Sequence, residues 1–133
     1  MTATALASKV GLTVAPCHRR LRDLESSGVI RGYRADIDPA AVGLGFEAIV
    51  FVTLKQVERT IMAEFEERVT ASPNIVEAQR LFGSPDYLLK VIAADLPAYQ
   101  RFYDDELAAL PAVERLTSTL VMKNLKTNIG PPV

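Results

Sequence analysis

Apolar positions repeat with two periods after residue 45, and they predict a strand, a helix and a strand in succession. The run Phe46–Lys55 is apolar and rich in β-branched and aromatic residues, as expected of a strand. Thr60–Ser72 repeats apolar residues every four positions, which is typical of a helix with one buried side, and Thr60 is a candidate N-cap. The repeating residues are Ile61, Phe65 and Val69. Ile75–Phe82 is predicted to form the next strand.

The same succession recurs after a turn at residues 83–86. Tyr87–Ala93 predicts a strand, a helix opens at Asp95 and ends at Pro111, and Val113–Leu125 predicts the last strand. The order β-α-β-β-α-β is that of a ferredoxin-like fold, in which both helices cover one face of a four-stranded antiparallel sheet. We therefore predict an α+β protein with this domain over residues 46–133.

Two of the predicted strands carry apolar or small residues on both faces. In the first strand Ile49 and Phe51 lie opposite the main apolar row, and in the last strand Val121 shares the second face with Thr117 and Thr119. Two helices cover only one face of such a sheet, so the second face needs another cover, most simply the same face of a second copy. We expect at least a homodimer, and scattered surface apolar residues are the alternative.

The first 35 residues predict two short helices joined by a turn. Thr2–Val10 is helix-compatible and Gly11 is a candidate C-cap. Thr13 is a candidate N-cap for a second helix that runs to about Ser27 and is stopped by Gly28. Its apolar stripe consists of Cys17, Leu21 and Leu24. Val29–Ile37 is predicted to be extended, and we place a linker at residues 36–45 between this partial helix-turn-helix module (1–35) and the second domain.

Charge and composition narrow the possible functions. The 133 residues carry a net charge of −1, so binding to nucleic acid would need a local basic patch. Residues 18–34 contain such a basic patch, because five arginines there face only two acidic residues, Asp23 and Glu25. The arginines are Arg19, Arg20, Arg22, Arg31 and Arg34. The single cysteine, the lack of a recognisable signal peptide and the short apolar runs favour a cytoplasmic protein without membrane contact.

The second short helix is the candidate DNA-reading element. Early exposed residues of a helix in the major groove can reach base edges, and here these are Ala15, His18 and Arg19. Thr13 suits a phosphate at the helix N-terminus. Arg20, Arg22 and Arg31 would add salt-sensitive contacts to the DNA backbone. A solvated basic helix face is the alternative reading.

The turn Gly83-Ser84-Pro85-Asp86 is the candidate ligand site. Gly83 permits a backbone conformation that leaves N–H groups free to hold a carboxylate, and Asp86 could accept from an ammonium group or organise the loop. Thr117 and Thr119 offer hydroxyls on the helix-free face. A plain hairpin turn is the alternative. We find no metal-ligand cluster, nucleophilic triad, P-loop or dinucleotide motif, so neither a cofactor nor an enzymatic activity is expected.

Three segments in this order resemble one known family. G-L-T-V-A-P-C-H-R-R-L-R-D-L-E-S-S-G-V-I-R-G-Y (11–33) resembles the recognition helix and following strand of the Lrp/AsnC regulators. D-I-D-P-A-A-V-G-L-G (36–45) resembles their linker, and F-G-S-P-D-Y-L-L-K-V (82–91) resembles their effector loop.

The resemblance implies a transcription regulator that binds double-stranded DNA and a small-molecule effector, expected to be an amino acid, and that forms dimers, tetramers or octamers. It associates these residues with effector binding or response: Gly83, Ser84, Pro85, Asp86, Thr119 and Val121. The family's DNA reader has three helices, and this sequence begins inside the second of them, as expected of a fragment, a mis-called start or a natural variant with a weakened reader. A ligand-binding and assembly module that has lost DNA binding is the alternative. Siroheme decarboxylases share the two-module layout, so an enzymatic function is a third hypothesis. Tetrapyrrole chemistry would be expected to need polar residues that face a large cavity in the second domain. The lone His18 lies on the DNA helix instead, which argues against this hypothesis.

Overall fold

The computed structural model describes residues 14–127 and 130–132. The chain divides into two compact units, residues 1–36 and residues 37–133. The helices are α1 (Val14–Ser26), α2 (Arg59–Ala71) and α3 (Leu96–Phe102), and the strands are β1 (Phe46–Leu54), β2 (Ile75–Arg80), β3 (Tyr87–Ala93) and β4 (Val113–Leu120). The predicted βαββαβ order is therefore confirmed.

The four strands form one antiparallel sheet in the order β2-β3-β1-β4. Alternate residues of β1 are fully buried, and Phe65 of α2 and Leu107 beyond α3 are buried with them. Because this core lies between the sheet and the helices, both helices cover the same face, as predicted. We call this the inner face. The core residues contributed by the strands are Ala48, Val50, Val52, Leu54, Tyr87, Leu89, Val91 and Ala93.

The opposite face, which we call the outer face, is covered by neither α2 nor α3. The register pairs Ile49 with Thr119 and Phe51 with Thr117, so these residues share the outer face. Leu88 lies opposite Phe51 on β3 and belongs to the same face. Ile49, Phe51 and Leu88 are only half-buried. The two-faced character predicted from the strand pattern is thus present in the fold.

Two strands end earlier than predicted. β2 stops at Arg80 rather than Phe82. The Leu81 amide still donates to Asp86 O (2.8 Å), but the Phe82 amide has no such partner on β3. β4 stops at Leu120 rather than Leu125. The Val121 N–H still donates to Glu47 O (3.0 Å), but β1 begins at Phe46 and offers no strand beyond it.

The helix ends also differ from the sequence expectation in part. Thr60 was predicted as the N-cap of α2, but the helix begins at Arg59 with Glu58 as the cap, and no side chain bonds there. The cap of α3 is as predicted, because the Asp95 carboxylate accepts from Ala98 N (2.9 Å). Beyond Phe102 the chain continues as a π-helical segment, Tyr103–Leu107.

In the first unit, α1 covers most of the predicted second helix. Gly28 lies beyond its end at φ +83°, a conformation that glycine adopts readily. Cys17 is buried as predicted, but Leu24 is 40% exposed, so the expected stripe is buried only at its N-terminal end. The predicted extended segment Val29–Ile37 forms no strand.

Other N-terminal predictions lie outside the described residues: the helix Thr2–Val10, its cap Gly11 and the cap Thr13. The predicted linker contains a 3₁₀ turn at Pro39–Val42. The side chain of Asp38 caps this turn, because its Oδ1 accepts a hydrogen bond from Ala40 N (3.1 Å). In the part of the chain that the structure describes, no helix has the length and apolar character needed to cross a membrane.

Candidate functional site

The candidate DNA-reading face lies on α1. His18, Arg19 and Arg22 are all exposed. At about 100° per residue they fall within roughly 100° of one another around the helix axis. Arg20 is also exposed, but it points about 160° away from Arg22, toward the side that carries Cys17. The helix therefore presents three of its predicted contact residues together and Arg20 apart from them.

The remaining predicted DNA contacts are placed unevenly. Ala15 lies in the first turn of α1, and Thr13 lies outside the described residues. Arg31 is exposed in the segment that follows the helix. That segment is tied back to α1 by the Tyr33 hydroxyl, which donates to Glu25 Oε1 (2.6 Å). This hydrogen bond raises the pKa of Tyr33 above its ordinary value.

The arginines of α1 outnumber its acidic residues, Asp23 and Glu25. Two ion pairs of the described residues, Arg80–Glu66 and Lys90–Glu47, belong to the second unit. The guanidinium groups of Arg19, Arg20 and Arg22 take part in neither. Such groups are free to exchange solvent counterions for phosphates.

The candidate effector loop, residues 81–86, connects β2 to β3. It is closed by the bond from Leu81 N to Asp86 O (2.8 Å) and attached to β1 by Asp86 N, which donates to Val52 O (2.9 Å). Asp86 also accepts from Leu54 N through Oδ2 (2.8 Å). Of the two roles predicted for Asp86, the structure therefore shows loop organisation directly.

The tip of this loop offers unused backbone donors. Gly83 has φ +144°, Ser84 is exposed, and the Ser84–Pro85 peptide bond is cis. The N–H groups of Phe82, Gly83 and Ser84 form no hydrogen bond with other described residues. Consecutive free N–H groups of this kind suit an anionic group such as a carboxylate. Phe82 beside them is fully exposed.

The β4 residues predicted to join this site lie progressively farther from the loop. Thr117 pairs with Phe51, next to the Val52 carbonyl that Asp86 contacts. Thr119 lies two residues farther along, and Val121 is bonded to Glu47. Glu47 and Val52 are five residues apart, or about 17 Å along the strand. Within one chain, the structure brings Thr117 toward the loop but not Val121.

Glu66, Arg80 and Tyr87 form a hydrogen-bonded cluster at the base of the loop, which was not predicted from the sequence. Glu66 Oε2 of α2 accepts from Tyr87 Oη (2.5 Å) and from Arg80 Nε (2.7 Å), and Arg80 also forms an ion pair with it. The Tyr87 ring packs on Phe65 with 4.4 Å between centroids. A crevice of about 120 Å³ lies beside the cluster, between α2 and β2. In the sequence, the four-residue spacing of Glu66 and Thr70 indicates only that α2 has a polar side. No local pattern indicates that this side contacts the loop.

These contacts shift the ionisation of the cluster. The hydrogen bond from Tyr87, reinforced by Arg80 and opposed by partial burial, lowers the pKa of Glu66. Burial of the ring and the hydrogen bond to Glu66 raise the pKa of Tyr87 to about 12. At neutral pH the cluster therefore consists of a carboxylate, a neutral phenol and a guanidinium.

The outer face has its own charged pair. Lys90 Nζ lies 3.7 Å from Glu47 Oε1, and both side chains are largely withdrawn from solvent. Lys90 pairs with Ile49 in the sheet register, so the ion pair sits among the apolar residues of the outer face. Among the described residues, no group of three or more histidine, cysteine or acidic side chains could hold a metal ion.

Comparison with protein families accounts for both units. Residues 47–131 match the model of the Lrp/AsnC ligand binding domain. Residues 1–31 match the model of a winged helix-turn-helix DNA-binding domain. The two models occur in the order predicted from the sequence.

Similar proteins of known role are transcription regulators. The Bkd operon transcriptional regulator of Pseudomonas aeruginosa is 34% identical over 128 residues, which is 96% of this chain and 84% of that protein. The leucine-responsive regulatory protein of Rhizobium meliloti is 36% identical over 126 residues, covering 95% of this chain and 81% of that protein.

Solved structures agree with these relatives. A transcriptional regulator from Neisseria meningitidis, crystallised as a complex with L-methionine, superposes with a TM-score of 0.90 at 31% identity, over 99% of this chain and 85% of that one. An AsnC family regulator from Agrobacterium tumefaciens gives 0.89 at 32% identity, over 99% and 86%. With both domain models, the fold and these relatives in agreement, the chain belongs to the Lrp/AsnC family of DNA-binding transcriptional regulators.

Proposed function

We propose that the regulator senses a free amino acid through the loop at residues 81–86 and adjusts its grip on DNA accordingly. The observation that carries this proposal is the loop's pair of complementary groups. Three free N–H groups, of Phe82, Gly83 and Ser84, suit the ligand's carboxylate, and Asp86 of the same loop has only Oδ2 engaged. Its second carboxylate oxygen can accept from the ligand's ammonium group.

The proposed effector residues extend beyond the loop. They are Gly83, Ser84, Pro85 and Asp86 with Thr117, Thr119 and Val121. Because Val121 lies near the far end of β1 from Asp86, one small ligand cannot touch both within one chain. We assign direct contact to the loop, with Thr117 nearest, and assign Thr119 and Val121 to a response between copies. The N. meningitidis regulator, whose structure contains L-methionine, makes methionine the first candidate ligand.

The proposed DNA contacts follow from α1. His18 and Arg19 read base edges in the major groove together with Ala15, while Arg22 and Arg31 bind phosphates. Thr13, which lies outside the described residues, and Arg20 are also assigned to contacts with the DNA backbone. The exposed, unpaired guanidinium groups on α1 support this assignment.

We further propose that two copies pair through their outer faces and that such dimers assemble into tetramers or octamers. The half-buried residues Ile49, Phe51 and Leu88 support the pairing, because neither α2 nor α3 covers them. Ligand binding would then act by linkage: it favours one assembly, and that assembly holds the α1 helices at a different spacing. The proposed regulator acts by binding DNA and its effector, without a cofactor and without catalysis. We place it in the cytoplasm.

A thermal-shift panel of amino acids, led by L-methionine, tests the sensing step on the full chain. A ligand at about a hundred times its dissociation constant stabilises a protein by roughly 2.7 kcal/mol, which is a shift of a few degrees. We expect a selective shift in the unsubstituted protein and none in Asp86→Asn. Asp104→Asn, at an exposed acidic residue outside the site, is the matched control. A full shift in Asp86→Asn would refute the site.

Retardation of promoter DNA with and without that ligand tests the second step. A change in apparent DNA affinity of about fivefold or more on ligand addition is expected from ordinary coupling energies. A ligand shift without any DNA retardation at low salt would instead establish the alternative function, a sensing and assembly module that does not read DNA.

A further inference from the structure

The effector loop begins and ends at a single residue pair. Arg80 is the last residue of β2, Tyr87 is the first of β3, and the two are directly opposite in the sheet register. Residues 81–86 project beyond this pair. The positions of Arg80 and Tyr87 therefore fix where the loop leaves the sheet.

One carboxylate oxygen of α2 contacts both of these residues. Glu66 Oε2 accepts from the Tyr87 hydroxyl and from Arg80 Nε. The position of this carboxylate is constrained in turn, because Phe65, the preceding residue of the same helix, is fully buried against the Tyr87 ring. The helix thus reaches the two strand ends through a buried aromatic contact and a charged hydrogen-bonded one.

We propose that Glu66 is a positioning residue for effector binding: it holds Arg80 and Tyr87 at the base of the loop and so sets the geometry of Asp86. This inference rests on the proposed function of the loop. It connects α2, which contacts no proposed ligand group, to the affinity of the site.

The connection to Asp86 is short. Tyr87 is 2% exposed, and its hydroxyl reaches Glu66 while its neighbour Asp86 bonds to β1 on the other side. If the phenol loses its partner, the residue next to Asp86 gains freedom. The Asp86–Leu54 bond (2.8 Å) is the side-chain contact of Asp86 with β1, and its donor amide can report on this change. An exposed ion pair by itself contributes little to stability, so the expected effect is on loop geometry more than on folding.

Two variants separate this role from a merely structural one. Tyr87→Phe removes only the hydroxyl and keeps the packing on Phe65, whereas Glu66→Gln keeps an acceptor and removes the charge. Glu67→Gln, an exposed neighbour on the same helix, and Tyr103→Phe, a second phenol in the domain, are the controls. Two readouts are used: the dissociation constant for the amino acid that shifts the unsubstituted protein, and amide hydrogen exchange at Leu54.

We expect Tyr87→Phe and Glu66→Gln each to weaken ligand binding roughly tenfold, as for the loss of a charge-assisted hydrogen bond, and the double variant to be little weaker than either. Both controls should bind normally. Unchanged affinity in both test variants would overturn the inference while leaving the proposed function intact.

If no amino acid shifts the unsubstituted protein, the proposed ligand fails, and Leu54 exchange decides the inference separately. Exchange accelerated about tenfold or more in the two test variants, and in neither control, would uphold the positioning of the loop. Equal exchange in all variants would overturn it.

Discussion

At the scale of single residues, the carboxylate of Asp86 has a structural role and a proposed role in ligand binding. Its carboxylate already accepts the Leu54 N–H, which is buried and would otherwise have no partner. The proposed ligand needs the same carboxylate for its charge. Because one oxygen of this residue serves structure and the other serves recognition, two substitutions are needed to separate the two roles.

We therefore expect Asp86→Ala and Asp86→Asn to differ. Alanine leaves the Leu54 N–H unsatisfied and should lower the free energy of unfolding by about 1 to 3 kcal/mol, whereas asparagine retains an acceptor and should cost much less. Urea unfolding of both variants measures this difference. Equal losses would mean that the Asp86–Leu54 bond does not contribute to stability.

Tyr87 gives the protein a predictable weakness in alkali. The folded chain keeps this phenol protonated up to about pH 12, while the unfolded chain ionises it near pH 10. The stabilisation is therefore complete below pH 10 and declines as the pH rises toward 12, by on the order of 2 kcal/mol. Urea midpoints across this range should fall less steeply in Tyr87→Phe. The Tyr99 pKa is also raised by burial, so part of the decline should persist in the variant. Identical slopes would contradict the raised pKa of Tyr87.

At the scale of elements, the sequence patterns predicted what depends on periodicity. The alternation in β1 identified its inner and outer faces, and the four-residue repeat identified the buried side of α2 through Phe65 and Val69. These features follow from the side-chain direction in a strand or helix and need no knowledge of the partner element.

What the patterns missed depends on contacts between distant segments. β4 cannot continue to Leu125 because β1 begins at Phe46, a limit that no residue of β4 encodes. Glu66 looked like one of several acidic residues of α2 until the fold placed it against Tyr87, 21 positions away. For the candidate site, the loop could thus be predicted from its residues, but its attachment to β1 and α2 could not.

Helix α1 provides a test at this scale. If its exposed side faces the major groove, Arg22→Ala should weaken binding to all DNA sequences alike and reduce the slope of log affinity against log salt by about 1. Arg20→Ala should change both less, because Arg20 points about 160° away from Arg22. Filter binding or retardation over a salt series measures both slopes. A larger loss for Arg20→Ala would show that the helix presents a different side to the DNA.

At the scale of the whole molecule, the proposed association of two copies rests on the outer face of the sheet. Phe51 and Leu88 are partners in the sheet register, and Ile49 lies two residues before Phe51 on the same face, so the three form an apolar surface. They are half-buried in a single chain, so pairing of two outer faces would remove the remainder from water. Burial of this kind is the dominant favourable contribution to most protein association.

Phe51→Lys should therefore convert the proposed dimer into monomer, because it places a charge in the middle of the outer face. Val57→Lys, an exposed residue of the β1–α2 connection, adds the same charge elsewhere and should leave the assembly unchanged. Sedimentation of both variants measures the molecular mass. An unchanged mass for Phe51→Lys would place the interface on another surface.

The Lys90–Glu47 ion pair gives the outer face a consequence for partner choice. Two charges held 3.7 Å apart among apolar residues are tolerable under a partner only if they stay together and meet no unmatched charge. A related regulator with a different charge arrangement on its sheet would leave these groups unpaired and pay a desolvation penalty. In a cell that makes several regulators of this fold, the ion pair would favour homodimers over mixed dimers. Mixed dimers, which would recognise hybrid operators, would thereby be disfavoured.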